Sequence, residues 1–152
     1  MPETLKTIES FAPGDRTEAV NVIADAHLAV YVGLTGGANR LTLDGEAAQA
    51  AGLPGRAVPG MLLAGYATAA LTALVAPGAV TIGHDFAFPA PARPGDTIHS
   101  VCHVESIDRE QRVLTVRMRC TTQRGECVLD GIALEKFART KPGGAEPRIE
   151  AR

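Results

Sequence analysis

The chain has 152 residues, 45% of them hydrophobic and 21% charged, with a formal net charge of −2. That length fits one domain with a real core and excludes a disordered tail. Fifteen basic against 17 acidic residues leave no cationic surplus for a general nucleic-acid binder. Three cysteines, Cys102, Cys120 and Cys127, are an odd and sparse set that fits reduced thiols better than a disulfide scaffold. The polar start, Met1-Pro2-Glu3-Thr4, lacks the basic and apolar regions of a secretion signal, so the expected location is cytoplasmic.

In chain order, Ala12-Pro13-Gly14-Asp15 reads as a turn and Glu18 to Ile23 as a weakly alternating strand. Asp25 reads as the N-cap of a short helix through Leu34. The paired glycines of Thr35-Gly36-Gly37-Ala38-Asn39-Arg40-Leu41-Thr42-Leu43-Asp44 mark a loop. Asp44 then caps a second short helix, from Gly45 to Ala51, closed by Gly52 and Pro54.

Ala57 to Gly83 is 27 residues without a charge, cut by Pro59-Gly60 and Pro77-Gly78. The apolar run between those cuts, Met61 to Ala76, has 16 residues, short of the roughly 20 that span a bilayer. It reads as one buried helix from Gly60 to Ala76, with no membrane span. Being apolar on nearly every face, it should be surrounded on most sides, and its many Ala, Gly and Thr residues let neighbouring backbone come close.

Four strands follow: Ala79 to Phe88, Thr97 to Ile107, Arg112 to Thr122 and Cys127 to Ala138. Prolines 89, 91 and 94 interrupt the first connection, and polar turns join the rest. The third strand is the clearest. Leu114, Val116, Met118 and Cys120 alternate with Thr115, Arg117 and Arg119, which implies one dry and one wet face. The reading is an α+β domain over residues 1–138, an antiparallel sheet wrapped around one long helix, with a loose tail at 139–152. Such a sheet leaves an open edge, and a homodimer would cover it.

Several collinear motifs resemble the MaoC-like dehydratase family, which includes the (R)-specific enoyl-CoA hydratases with a hot-dog fold. The resemblance runs from about Ile23 to Phe137. It rests on Tyr31-Val32-Gly33-Leu34-Thr35-Gly36, on Asn39 with Leu43-Asp44, and on Ala50-Ala51-Gly52-Leu53-Pro54-Gly55-Arg56. Pro59-Gly60-Met61-Leu62 resembles the start of the family's central helix. Phe86-Ala87-Phe88-Pro89-Ala90 and Arg93-Pro94-Gly95-Asp96-Thr97 resemble the strand and turn after it.

The resemblance implies a catalytic loop of the form Thr-Gly-Asp-x-Asn-Pro-x-His-x-Asp, whose Asp and His handle the protons of hydration. In this chain the Asp position is Gly37, the Pro position Arg40 and the His position Thr42. A His that commonly precedes Gly-Met-Leu is replaced by Pro59. A threonine hydroxyl is no base near pH 7. Losing positioned acid–base catalysis costs roughly 10²–10⁴-fold in rate. What the resemblance leaves intact is the main-chain N–H of Gly60, which would polarise a thioester carbonyl at the helix N-terminus.

The resemblance therefore implies an acyl-thioester hydratase/dehydratase of altered or weak enoyl-CoA activity, working on acyl-CoA or acyl-carrier-protein thioesters in fatty acid metabolism without a cofactor. Gly60, Thr42 and Asn39 are its candidate catalytic positions, and Met61, Tyr66, Thr68 and His84 its candidate substrate contacts. One alternative is a non-catalytic thioester-binding or partner subunit. A hot-dog thioesterase is disfavoured, because Gly60 to Ala76 carries no acid.

Each candidate also has a plainer reading. Asn39 and Asp44 serve equally as turn residue and helix cap, and Thr42 as filler of the His space. Thr68 would bond its own helix, and Met61, Leu62, Tyr66 and Leu71 would be core. His84 and Asp85 are strand neighbours on opposite faces and cannot form a dyad. His99 and His103 sit about 13 Å apart along a strand, so no metal site is expected. Arg40, Arg56, Arg93 and Arg112 are candidates for carrier phosphates or simply solvated surface.

Overall fold

The computed structural model describes residues 5–139; the remainder of the expected tail lies outside them. The elements run β1 (Arg16–Val22), α1 (Asp25–Thr35), α2 (Arg40–Leu43), α3 (Gly45–Ala50), α4 (Gly60–Val75), β2 (Ala79–Ala87), β3 (Thr97–Asp108), β4 (Val113–Thr122) and β5 (Cys127–Phe137). The strands form one antiparallel sheet in the order β1-β3-β4-β5-β2. β3, β4 and β5 follow one another as a meander, whereas β2, expected to lead it, crosses over to pair with β5, so that β1 and β2 are the edges.

Strand alternation decides which face meets the helix. Ile98, Ser100, Cys102 and Val104 of β3 are buried, as are Leu114, Val116, Met118 and Cys120 of β4 and Leu129, Ala133 and Phe137 of β5. They close over Leu63, Ala64, Ala67, Ala70, Leu71, Leu74 and Val75 of α4 in one apolar cluster. The small residues of α4 admit the sheet closely: the Cys102 thiol donates to the Ala67 carbonyl at 3.6 Å. Irregular register at Val104/Ser106, Thr81/Gly83 and Cys120/Thr121 bends the strands, as bulges do, and curves the sheet about the helix. At the far end of α4, the Lys6 ammonium donates to the Leu74 carbonyl at 2.7 Å, a cation where the helix dipole is negative.

Three expectations need correction. The N-cap of α1 is Ala24, with Asp25 the first helical residue; His27 Nδ1 reaches back to accept the Ala24 N–H at 3.3 Å. The loop after α1 contains a helical turn, α2, capped by Asn39. Finally, α4 is not surrounded within one chain. Its buried residues occupy one side, whereas Met61, Gly65, Ala69, Thr72 and Ala73 form an exposed stripe. An Ala-rich helix has no polar face to announce which side stays open.

Position 131 shows how tightly β2 seats on β5. A Cβ on Gly131 would lie 2.0 Å from the Asp85 carbonyl oxygen and 2.7 Å from the Phe86 ring. Only glycine lets that aromatic side chain cross the sheet there.

Candidate functional site

The segment from Gly36 to Asp44 is built from local hydrogen bonds. Gly36 ends α1 in the left-handed conformation, φ 69°, and its N–H donates to Val32 O. The Thr35 hydroxyl donates to Tyr31 O at 2.8 Å and accepts the Gly37 N–H at 3.2 Å. The Asn39 side-chain oxygen accepts the Leu41 N–H at 3.0 Å and starts α2. Thr42 lies within that turn at 3% exposure. The Leu41 carbonyl accepts the Ala57 N–H at 2.8 Å, tying the loop to the strand of chain that leads into α4.

Asp44 is the carboxylate closest in sequence to the vacant acid position, and its oxygens are committed. Oδ1 accepts the N–H groups of Glu46 and Ala47 at 3.0 and 3.1 Å, capping α3. Oδ2 accepts from Arg40 at 3.1 Å. The Ala47 N–H, the Arg40 guanidinium and the Glu46 N–H outweigh desolvation and hold its carboxyl below the usual range. Such a group is a fixed anion and cap, not a proton donor near neutral pH.

Gly60 opens α4 after Pro59, which supplies no side-chain cap. Pro59 O accepts from Leu62 and Leu63. The N–H groups of Gly60 and Met61 precede the helix ladder, so they face outward as donors. A Cβ on Gly60 would sit 3.0 Å from three atoms of the Phe88 ring, so bare glycine lets that aromatic residue cover the helix start. Met61, on the first turn, is 60% exposed.

The other candidates sit elsewhere. Thr68 Oγ1 donates to Ala64 O at 2.8 Å, within its own helix. The Tyr66 hydroxyl lies 2.7 Å from His27 Nδ1, a pairing across 39 residues that sequence reasoning missed. Since Nδ1 already accepts the Ala24 N–H, the phenol is the donor in that bond. Burial pushes the Tyr66 phenol upward, which keeps it protonated.

His84 is exposed on the edge strand β2, stacked on Phe86 with centroids 4.7 Å apart. It pairs with Ala133, whose side chain is buried, so His84 belongs to the helix-facing side of the sheet. Desolvation holds its imidazole below the ordinary value. Four residues, about 13 Å of extended chain, separate it from Phe88 and hence from the Gly60 end. A second group missed by sequence is Glu135, an inward-facing β5 carboxyl at 1% exposure that accepts from the Thr81 hydroxyl at 2.6 Å. Among the described residues no three His, Cys, Asp or Glu side chains gather as a metal centre.

An antiparallel sheet embracing one helix, with a capped loop feeding the start of that helix, defines an α+β protein of the hot-dog class. The model of the MaoC like domain family matches residues 11–124, and the chain belongs to that family. It is 30% identical over 130 residues to an (R)-specific enoyl-CoA hydratase of Rhodospirillum rubrum, covering 85% of this chain and 90% of that protein. It is also 30% identical over 122 residues to a tomato (Solanum lycopersicum) mitochondrial 3-hydroxyacyl-[acyl-carrier-protein] dehydratase, FERN, covering 79% of this chain and 73% of the relative. Among solved structures, the (R)-hydratase of A. caviae involved in PHA biosynthesis superposes with TM-score 0.81 at 25% identity, covering 85% of this chain and 98% of that one.

Proposed function

We propose that this chain binds an acyl thioester at the N-terminal end of α4 and acts as an altered, weak enoyl-thioester hydratase. The observation that carries the reading is the composition of its loop: Gly at 37, Thr at 42, and the carboxylate nearest in sequence, Asp44, spent on capping α3. The activities named for the relatives from Rhodospirillum rubrum and tomato support the reaction class and leave the carrier as CoA or acyl-carrier protein.

Hydration adds the oxygen of water to Cβ of the enoyl thioester and a proton to Cα, while a proton leaves the attacking water. Charge builds on the thioester oxygen in between. The Gly60 N–H, at the positive end of a 16-residue helix, stabilises that oxygen without needing any side chain. The proton transfers have no side-chain agent at 37 and 42, so solvent water must carry them, and the rate should fall by roughly 10²–10⁴. Asn39 and Thr42 line the place of the lost pair. Met61, Tyr66 and Thr68 wall the acyl path, and His84 meets a part of the substrate remote from the reacting carbons.

The second reading, a binder without turnover, is favoured by the same missing groups. A homodimer completes either reading. Edge strand β2 presents Val80 and Ile82 to solvent, and the exposed stripe of α4 begins at Met61 beside the site. Burial, and then the nearby Cys120, push the Cys102 thiol up to about 12, so it is a protonated core residue and takes no part in the chemistry.

Purified protein incubated with crotonyl-CoA tests the reading. Slow hydration above the uncatalysed rate supports the altered hydratase, and calorimetric binding without turnover supports the binder. Hydrolysis of acetyl-CoA in place of either would overturn both.

A further inference from the structure

Of the four arginines whose spacing first raised carrier phosphates, three are occupied. Arg40 pairs with Asp44, Arg56 with Asp25, and Arg112 Nε donates to Phe137 O. Arg93 differs. Its Nε is the one buried side-chain nitrogen or oxygen among the described residues without a hydrogen-bond partner. Its guanidinium has no carboxylate among the described residues either, and nearby Asp96 is already claimed. Asp96 Oδ2 accepts the Arg93 backbone N–H at 2.9 Å. Both of its oxygens accept from the Arg124 guanidinium, at 2.8 and 3.3 Å, and Oδ1 also accepts from Gln123 at 3.0 Å.

The residue is also well placed. The Ala92 carbonyl accepts the Val58 N–H at 2.9 Å, which fastens the Arg93 turn to the chain entering α4. The Arg93 stem runs beside Gly55, where a Cβ would lie 3.7 Å from its Cδ. Gly55 precedes Gly60 by five residues, at most about 17 Å of chain. The Arg93 turn is therefore held near the chain that leads to the proposed carbonyl donor, within the reach of an extended pantetheine arm. Arg56, next to Gly55, adds a second guanidinium, and Asp25 balances only that one.

We infer that Arg93 binds the phosphate at the end of the phosphopantetheine arm, the group that CoA and acyl-carrier protein share. A guanidinium stays charged at any working pH and grips phosphate through paired N–H donors, and an unpaired, partly desolvated one is prepared for an anion. This inference rests on the thioester reading above.

The test compares binding of three crotonyl esters, those of pantetheine, phosphopantetheine and CoA, to wild type, R93Q and R93K by calorimetry. Wild type should prefer both phosphate-bearing esters over the pantetheine ester. R93Q should lose on the order of tenfold toward those two and nothing toward pantetheine. R93K, which keeps the charge without the fork, should lose less, and it carries the comparison if R93Q fails to fold. Equal loss toward all three esters, or a wild type indifferent to phosphate, overturns the assignment and leaves the thioester reading standing. A wild type that binds none of them overturns both. Crotonyl-loaded acyl-carrier protein, run beside crotonyl-CoA, identifies which carrier supplies the phosphate.

Discussion

The double change Gly37→Asp with Thr42→His should install proton transfer on this scaffold. Position 37 can accept a side chain: its backbone is not in the left-handed region, and an added Cβ meets only Thr35 Oγ1, at 3.2 Å. That hydroxyl holds Tyr31 O and the Gly37 N–H, so it must yield by a few tenths of an ångström. Position 42 is harder, because Thr42 is 3% exposed and imidazole is larger than a threonine side chain. Overpacking there should cost about 1–3 kcal/mol of stability. The gain in kcat/KM for crotonyl-CoA should be on the order of 10²–10⁴-fold, with each single change giving little, because acid and base work as a unit. Initial rates for wild type, both singles and the double form one cycle, with urea unfolding run in parallel. A double variant that folds, binds crotonyl-CoA and gains no rate refutes the placement of the catalytic loop at residues 37–42.

Gly131→Ala must move the Asp85 carbonyl and the Phe86 ring together, so it should cost about 3 kcal/mol or more in urea unfolding; an effect under 1 kcal/mol contradicts the seating of β2 on β5. Burial raises the Glu135 carboxyl above its ordinary value, and the Thr81 hydroxyl only partly offsets this. The folded state therefore favours the protonated acid, and its ionisation costs stability as pH rises from the unfolded carboxyl value through the folded one. Glu135→Gln keeps an acceptor for Thr81 and should melt higher than wild type at neutral pH, with the difference vanishing in acid; a pH-independent difference is the contrary result. If the proposed homodimer pairs along β2, Ile82→Lys, which places a charge at a side chain 56% exposed on that edge strand, should shift sedimentation from dimer to monomer with unchanged circular dichroism. A persistent dimer puts the interface elsewhere.

What was legible in the sequence were the features decided within a few residues. The alternation of Leu114, Val116, Met118 and Cys120 placed a dry face, and all four are buried. Asp44 caps α3 as its position before Gly45 implied. Features set by distant partners were not legible. Nothing near Lys6 pointed to Leu74 O, and nothing near His27 pointed to Tyr66. The turn α2, by contrast, is made by near neighbours, with Asn39 capping the Leu41 N–H, and it went unread because the paired glycines before it signal plain loop. At the site, side-chain letters revealed what was missing at 37 and 42. The orphaned Arg93 Nε was not legible either, because it follows from Arg124 and Gln123, about 30 positions on, taking the oxygens of Asp96.

The bare side of α4 has a thermodynamic corollary. If a second copy clothes that stripe, folding and association become one mass-action equilibrium, and the melting temperature climbs with concentration. Dilution would then do more than separate subunits: it would wet the flank of the helix whose first amide awaits the thioester, and specific activity should sag in dilute assays before any unfolding is seen.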